Sequence, residues 1–279
     1  LLLLLGMEVL HYISEKRMKQ PLLYALCGID IISLVYILSC PGNAIRSAQE
    51  MAGRMPEFAD FTFAEKLYMG LANVERIFIA ELDPVYCVVA AVLVLLVYRK
   101  TGDYRKTLLA GIPALLLFGQ AVVRVSHPSL KKVFVRPEQT THWDWHALIT
   151  YMPLVFLVLS VWGILYALWQ LADGAWKHYL WTAFLLAGGF AMGVVMGFSP
   201  TIYASANRPY LYLYFVLIYV CADAVWNMGG MKAVWKIGSA DAVRKMPVPE
   251  KLMFTVLGLL VLVNILDVTR MCWLLGRFL

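Results

Sequence analysis

The chain lacks the charge that a soluble protein of its length carries. Only 15% of its 279 residues are charged and 61% are hydrophobic, and its mean hydropathy is +0.71. Soluble domains average about 25% charged residues, so this composition excludes an ordinary soluble protein. The net charge of +6 therefore reports membrane topology and contact with membrane lipid, and no nucleic-acid partner is predicted.

The alternation of apolar and polar residues that marks membrane strands is also missing. Leucine and valine instead run continuously through 88–97 and 256–263, so helices must span the membrane. We predict an all-α fold, a polytopic transmembrane helical bundle that forms a single transmembrane domain over 1–279. Windows of about 20 apolar residues, enough to cross about 30 Å of hydrocarbon, lie near 21–40, 84–98, 107–125, 148–170, 179–198, 209–228 and 252–270.

Cysteine is scarce, and none of the five cysteines stands in a CxxC pair. All lie in or at the edges of predicted spans, which is typical of structural thiols. The sequence therefore indicates no disulfide framework, no zinc site and no other cofactor.

The chain begins with five leucines and has neither an initiator methionine nor the basic flank of a signal peptide. We interpret this as the end of a partial first span, followed by about seven complete ones. Short basic connections, such as Arg99 with Lys100 and Lys16 with Arg17, are predicted to be cytoplasmic by the positive-inside rule. The outside face then holds 41–83, 126–147 and 199–208, in a multi-pass protein of the cytoplasmic membrane.

Polar side chains are concentrated in the outside segment Gly197–Arg208. Tyr203, Asn207 and Arg208 follow a helix-breaking Ser-Pro pair, and the next span begins with three tyrosines at 210, 212 and 214. A guanidinium at the mouth of a bundle suits a phosphate, and the tyrosines suit a pocket wall. The alternative is a tyrosine belt with one arginine that snorkels to the headgroups.

A second candidate lies at the turn formed by Pro41 and Gly42, which end the preceding helix. We predict that Asn43 is the N-cap of a following helix and that Arg46, beside free backbone N–H groups, binds phosphate. The alternative is that Asn43 only caps and Arg46 only contacts lipid headgroups.

Thr62 and Glu65 fit a capping box, and apolar residues recur at spacings of three and four from Phe63 to Phe78. This pattern predicts an amphipathic helix on the outer interface. Its polar residues would face water: Glu65, Lys66, Asn73, Glu75 and Arg76. The helix is either structural or the wall of a groove for a lipid-linked substrate.

The segment His142–His146 admits three interpretations. Its spacing differs from the helical metal motif of zinc hydrolases, which disfavours a metal site. Trp143 and Trp145 could stack on a sugar ring while Asp144 accepts its hydroxyls. The two tryptophans are also typical of an interfacial aromatic belt, which is the simplest interpretation.

Two of these motifs carry a family resemblance: Pro41, Gly42, Asn43 and Arg46, and the stretch from Ser199 to Arg208. Together with the hydropathy pattern over about 1–228, they resemble a bacterial family of polytopic membrane proteins without an assigned activity. Those proteins in turn resemble GT-C glycosyltransferases.

The resemblance implies a membrane enzyme that transfers sugar from a polyprenyl-phosphate-linked donor to a cell-envelope acceptor. It also implies a phosphate and lipid-donor role for Arg46 and Arg208, supported by Asn43, Tyr203 and Asn207. In such enzymes the general base usually lies in the first outside loop, which would precede Leu1, so the catalytic residue is left unassigned. Two alternatives remain: a transporter or flippase whose path is lined by Asp30, Asp223, Asn227 and Asn264, and a non-catalytic envelope-assembly protein.

Overall fold

A computed structural model describes residues 21–39, 41–126, 145, 148–203 and 208–228. The chain divides into two compact units at the junction of Asp60 and Phe61, and each unit is described by itself. All regular elements among the described residues are helical, as the sequence predicts.

The first unit contains helix α1 (Pro21–Ser39), helix α2 (Pro41–Arg54) and a 3₁₀ turn (Pro56–Ala59). Pro41 stands at the first position of α2, where its missing N–H leaves no hydrogen bond unmade. Cys40, which separates the two helices, lies outside the described residues, so the predicted break there stays a prediction. Asn43 is the third residue of α2 and not the residue that precedes it, so the N-cap assignment is wrong: the proline opens the helix two residues earlier.

The second unit is a bundle. Its helices are α3 (Phe63–Glu75), a π-helix (Arg76–Ala80), α4 (Pro84–Thr101), α5 (Tyr104–Ala110), α6 (Ile112–Ser126), α7 (Leu148–Leu171), α8 (Trp176–Val195), a 3₁₀ turn (Met196–Phe198), a second 3₁₀ turn (Arg208–Tyr210) and α9 (Leu211–Asn227).

Three described helices are long and apolar enough to cross a membrane, within the stretches 84–101, 150–171 and 176–198. A fourth span results if α5 and α6, which are bent by 61° to each other, cross together. α9 is apolar but has only 17 residues. The predicted span at 252–270 lies outside the described residues, so the structure supports a helical membrane protein without establishing seven spans.

Helix starts follow the capping signals of the sequence. The hydroxyl of Thr62 accepts the N–H of Glu65 at 3.3 Å, and the Glu65 carboxylate accepts the N–H of Thr62 at 2.7 Å, so the predicted capping box is confirmed. Asp83 caps α4 by accepting the N–H of Tyr86 at 2.9 Å. α4 ends at Gly102, whose φ of +59° belongs to the left-handed region that glycine adopts without steric cost.

The prediction that the polar face of α3 lies in water is wrong for Asn73 and Glu75. Asn73 and Glu75 are each only 2% exposed, whereas Phe63 is 71% exposed. The reason is that α3 crosses the end of α8 at close range. A Cβ atom at Gly70 would lie 2.1 Å from the carbonyl oxygen of Val194, and small residues permit such an approach.

The helix directions define two ends of the bundle. Asp83, at the start of α4, bonds to Tyr214 in the first turn of α9, so these two helices are parallel. α8 runs antiparallel to α9, since His178 near its start bonds to Asp223 near the end of α9. We call the end that holds residues 73–86, Tyr203 and residues 208–214 the Arg76 end. The opposite end, with residues 171–178 and 223–227, is the His178 end.

Candidate functional site

Arg76, the first residue of the π-helix, is the centre of a polar cluster at the Arg76 end. Its Nε donates to Oδ1 of Asn73 at 2.9 Å, and its Nη1 lies 3.3 Å from Oε1 of Glu81. The guanidinium also lies 5.5 Å from the ring centroid of Tyr203, within cation–π range. The Arg76 side chain is only 15% exposed, so these contacts hold a cation in a largely buried position.

Asn73 connects this cation to the start of α9. Its Nδ2 donates to the hydroxyl of Tyr210, a side chain that is 1% exposed. Tyr210 lies close to α8, because a Cβ atom added at Gly193 would be 3.0 Å from its ring. The Asn73 amide therefore links α3 to the approach to α9, and the Tyr210 ring packs against α8.

A second buried polar pair lies beside this cluster. The hydroxyl of Tyr214 donates to Oδ2 of Asp83 at 2.6 Å, and Asp83 is 7% exposed. Burial raises the pKa of the Asp83 carboxyl, while the hydrogen bonds from Tyr214 and from the backbone N–H groups of Tyr86 and Val85 oppose that rise. Asp83 thus both caps α4 and ties it to α9.

The Phe78 ring packs against both polar groups, contacting Tyr210 of the Arg76 cluster and Tyr214 of the Asp83 pair. Its ring centroid lies 6.0 Å from that of Tyr210, 5.2 Å from that of Tyr214 and 5.8 Å from that of Tyr86. The hydroxyl of Tyr86 bonds in turn to Ser160 on α7. Aromatic packing therefore shields the buried hydrogen bonds from water on the inner side of the cluster.

The rim of the cluster is more open. The carboxylate of Glu81 is 43% exposed, and its backbone carbonyl accepts a hydrogen bond of 3.3 Å from Nη1 of Arg124 at the end of α6. A second guanidinium thus stands at the same rim. An anion that approached Glu81 from solvent would meet Arg76 and Arg124.

An apolar cavity of about 790 Å³ runs along α4 and α9, from Pro84 at the start of α4 to Val225 and Trp226 near the end of α9. This volume lies within the range of about 300–1,000 Å³ that is typical of small-molecule sites. The lining residues are apolar and include Val85, Val88 and Val92 of α4 and Ile218, Ala222 and Val225 of α9. The cavity can accept a hydrocarbon chain, and its polar neighbours can accept a headgroup.

The His178 end holds a smaller and more exposed polar group. Nε2 of His178 lies 2.7 Å from Oδ2 of Asp223, and the amide of Asn227 lies 3.2 and 3.3 Å from the same two atoms. Lys100 pairs with Asp173 at 3.1 Å, and the Asp173 side chain is 84% exposed. These are surface pairs in antiparallel or adjacent helices.

The structure describes only some of the predicted site residues, and it places them in different surroundings. Tyr203 lies in the Arg76 cluster. Trp145 is 38% exposed and its ring contacts those of Tyr68 and Tyr151. Four further predicted positions, or their side chains, lie outside the described part of the bundle: Trp143, Asp144, Asn207 and the side chain of Arg208.

Asn43 and Arg46 belong to the first unit, where α2 fixes their backbone and their side chains lie outside the described part. The sequence-based prediction that they share one site with Arg208 therefore stays a prediction.

Sequence reasoning missed Arg76, Asn73 and Asp83, although Tyr210 and Tyr214 were expected to line a pocket. Asp83 before Pro84 is a readable helix-start signal, and it could have indicated the capping role. Nothing in the sequence shows that the same carboxylate reaches Tyr214, 131 positions later.

No cluster of three or more metal-ligating side chains occurs among the residues that the structure describes. No protein-family model, no curated protein and no solved structure matches the chain.

Proposed function

We propose that the protein is a GT-C-like membrane glycosyltransferase that uses a polyprenyl-phosphate-linked sugar to modify a cell-envelope glycan. The observation that supports this most is that an apolar cavity begins at Pro84, whose neighbour Asp83 lies beside the buried cationic cluster at the Arg76 end. A lipid-linked phosphate needs both parts, and it needs them next to each other.

In this proposal the phosphate replaces the Glu81 carboxylate at Arg76. Glu81 is the more exposed partner of that ion pair, so it can turn to solvent at small cost. Arg76 is meanwhile held by Asn73 and by the Tyr203 ring, which keeps its remaining donors aimed at the rim. A guanidinium placed this way stabilises the negative charge that develops on a phosphate leaving group.

The hydrocarbon part of the donor occupies the cavity between α4 and α9. The cavity follows two parallel helices from Pro84, the residue after Asp83, to Val225 and Trp226 at the His178 end. In this proposal the chain lies along that length with its headgroup at the Pro84 end, toward Arg76. The backbone of Arg208 opens the 3₁₀ turn that precedes α9, and the proposal assigns its side chain and Asn207 to the same phosphate.

Seven spans with short basic connections on the cytoplasmic side complete the proposal. That topology places the Arg76 end on the outer side of the cytoplasmic membrane, where polyprenyl-linked donors transfer their sugar to envelope acceptors.

Transport is less well supported. Asp223 and Asn227, which a transport path would expose, bond to His178 and to each other at the opposite end. Between the two polar ends, the described cavity wall is apolar.

The test is incorporation of labelled sugar from a polyprenyl-phosphate donor in membranes that contain the protein. Arg76→Gln should reduce the initial rate about a hundredfold or more, because one charge-stabilising donor is worth roughly 2.7–4 kcal/mol in the transition state. Arg208→Ala and Arg46→Ala should also reduce it.

Arg105→Gln, on the exposed first turn of α5, is the control and should keep the parental rate. Equal rates in Arg76→Gln and Arg105→Gln membranes, at equal protein level, would refute the proposal.

The cavity can be tested with a matched pair of exposed valines. Val88 lines the cavity and is 47% exposed, while Val155 on α7 is 46% exposed and lies outside its lining. Val88→Trp should raise KM for the lipid-linked donor several-fold by occupying the space of its chain. Val155→Trp should leave KM unchanged, and an equal rise in both variants contradicts a specific role for the cavity.

A further inference from the structure

Glu75 is a buried carboxyl that the proposed function does not use. It is the last residue of α3 and only 2% exposed. Among the residues that the structure describes, none forms a hydrogen bond or an ion pair with its side chain. Buried polar side chains are almost always paired, so an unpaired carboxyl needs an explanation.

The elements packed around α3 offer no nearby opposite charge. α7 contains no charged residue, and its titratable groups are Tyr151 and Tyr166. α8 carries Lys177, His178 and Tyr179, all in its first turn at the far end of the bundle. The 3₁₀ turn Met196–Phe198 has no titratable group.

The remaining neighbours are engaged elsewhere. Arg76 bonds to Asn73 and Glu81, and Arg124 of α6 bonds to the Glu81 carbonyl. On α3 itself, Glu65 caps the helix start and the hydroxyl of Tyr68 donates to the Thr150 carbonyl at 2.8 Å. Lys66 lies more than two turns away along α3.

An ionised carboxylate in this position would lose its hydration without a compensating partner. Burial accordingly raises the pKa of the Glu75 carboxyl from its ordinary value of 4.5 to about 8. The group is therefore uncharged at neutral pH, and it holds a proton that most glutamates have already released.

We infer that Glu75 is a proton-binding site inside the bundle, and that loss of its proton shifts the adjoining π-helix and with it Arg76. The ligand is the proton itself, which the carboxyl gives up to water or a buffer base as the oxygen keeps the bonding electron pair. The inference does not depend on the glycosyltransferase proposal.

The π-helix is the element able to respond. Its wide turn is closed by the N–H of Glu81, which donates to the carbonyl of Arg76 at 2.8 Å. Such turns occur often at functional positions. Once ionised, the Glu75 carboxylate must gain contact with water or with a hydrogen-bond donor. The backbone next to it is this single π-helical turn, so the turn is the element expected to move. Its first residue is Arg76, which holds the polar cluster together.

Infrared difference spectroscopy of the purified protein tests proton binding directly. The parental protein should show a protonated carboxyl band at pH 6 that disappears with a midpoint near pH 8. Glu75→Gln should lack that band, while Asp83→Asn, which removes the second buried carboxyl of the described residues, should retain it. A spectrum of Glu75→Gln identical to that of the parent would overturn the inference.

Carbodiimide labelling gives a site-specific second measurement. A protonated carboxyl adds to dicyclohexylcarbodiimide: its oxygen bonds to the central carbon, its proton passes to a nitrogen, and the acyl group then migrates to nitrogen as a stable N-acylurea. Trypsin releases residues 67–76 as one peptide, in which Glu75 is the only acidic residue. Labelling of this peptide should fall several-fold from pH 6 to pH 9, whereas labelling that does not change with pH contradicts a titrating carboxyl.

Hydrogen–deuterium exchange tests the coupling to the π-helix. At pH 9, the backbone of 76–82 should exchange faster in the parent than in Glu75→Gln, and at pH 6 the two should agree. Equal exchange at both pH values would rule out the coupling even if the infrared band confirms the proton.

Discussion

The two ends of the bundle use similar residues in different surroundings. At the Arg76 end, Asn73 and Tyr210 are 2% and 1% exposed. At the His178 end, the histidine and Asp223 side chains are 38% and 20% exposed. Both ends join distant parts of the chain, so sequence separation does not distinguish them. What differs is access to water, which decides how much each hydrogen bond contributes.

A polar group that is cut off from water must keep its partner, because losing the partner leaves an uncompensated donor or acceptor that costs about 1–3 kcal/mol. A pair in contact with water can exchange its partner for solvent and typically contributes about 0.2–1 kcal/mol. The Arg76 end should therefore be rigid and sensitive to substitution, and the His178 end tolerant.

The largest effect is expected where α3 crosses α8. Gly70→Ala places a Cβ 2.1 Å from the Val194 carbonyl oxygen, a backbone atom that cannot move aside without displacing α8. We expect loss of folded protein after detergent extraction, measured by size-exclusion chromatography. Gly119→Ala is the control, since a Cβ at that helical glycine meets nothing within 4 Å. Equal recovery of both variants would show that the crossing is not essential to the fold.

The next effect concerns the pH dependence of stability. Because the pKa of Glu75 is raised on folding, the folded state binds a proton that the unfolded state releases above pH 4.5. Stability should fall between pH 4.5 and about 8 by about 1.4 kcal/mol per pH unit from this group alone. From pH 5 to pH 8 the difference reaches about 4 kcal/mol.

Glu75→Gln should remove that slope without removing the side-chain volume. The free energy of unfolding in mixed detergent micelles, measured from pH 5 to pH 8, checks it. Parallel curves for parent and variant would mean that Glu75 is not the group responsible.

Asp83→Ala should destabilise the protein by about 3 kcal/mol. It removes an N-cap, worth about 1 kcal/mol, and leaves the Tyr214 hydroxyl without its charged acceptor, a bond worth about 1.5–3 kcal/mol. Asp103→Ala is the matched control, because Asp103 caps α5 in the same way but lies at the more exposed end. It should cost only about 1 kcal/mol, and a cost equal to that of Asp83→Ala would assign the whole effect to capping.

The sequence predicted the features that depend only on residues close together in the chain. The capping box at Thr62 and the apolar segments that form α4, α7 and α8 could be read from a few neighbouring residues. The face that α3 buries could not. Its spacing of apolar residues predicts a surface helix, and only the close approach of Gly70 to Val194 shows that the polar face of α3 is enclosed. The candidate site was missed for the same reason, since Asn73 and Asp83 obtain their roles from tyrosines on another helix.

The smallest effect, and the most direct measure of the contrast, comes from two double-mutant cycles. Asn73→Ala with Tyr210→Phe probes the Arg76 end, and His178→Gln with Asp223→Asn probes the His178 end. The buried pair should show a coupling of about 1–2 kcal/mol in the free energy of unfolding, and the exposed pair less than about 1 kcal/mol. Added salt should weaken only the second coupling, because solvent ions screen exposed charges. If the His178–Asp223 coupling equals or exceeds that of the buried pair, burial is not what separates the two ends, and the case for Arg76 as the functional end loses its energetic basis.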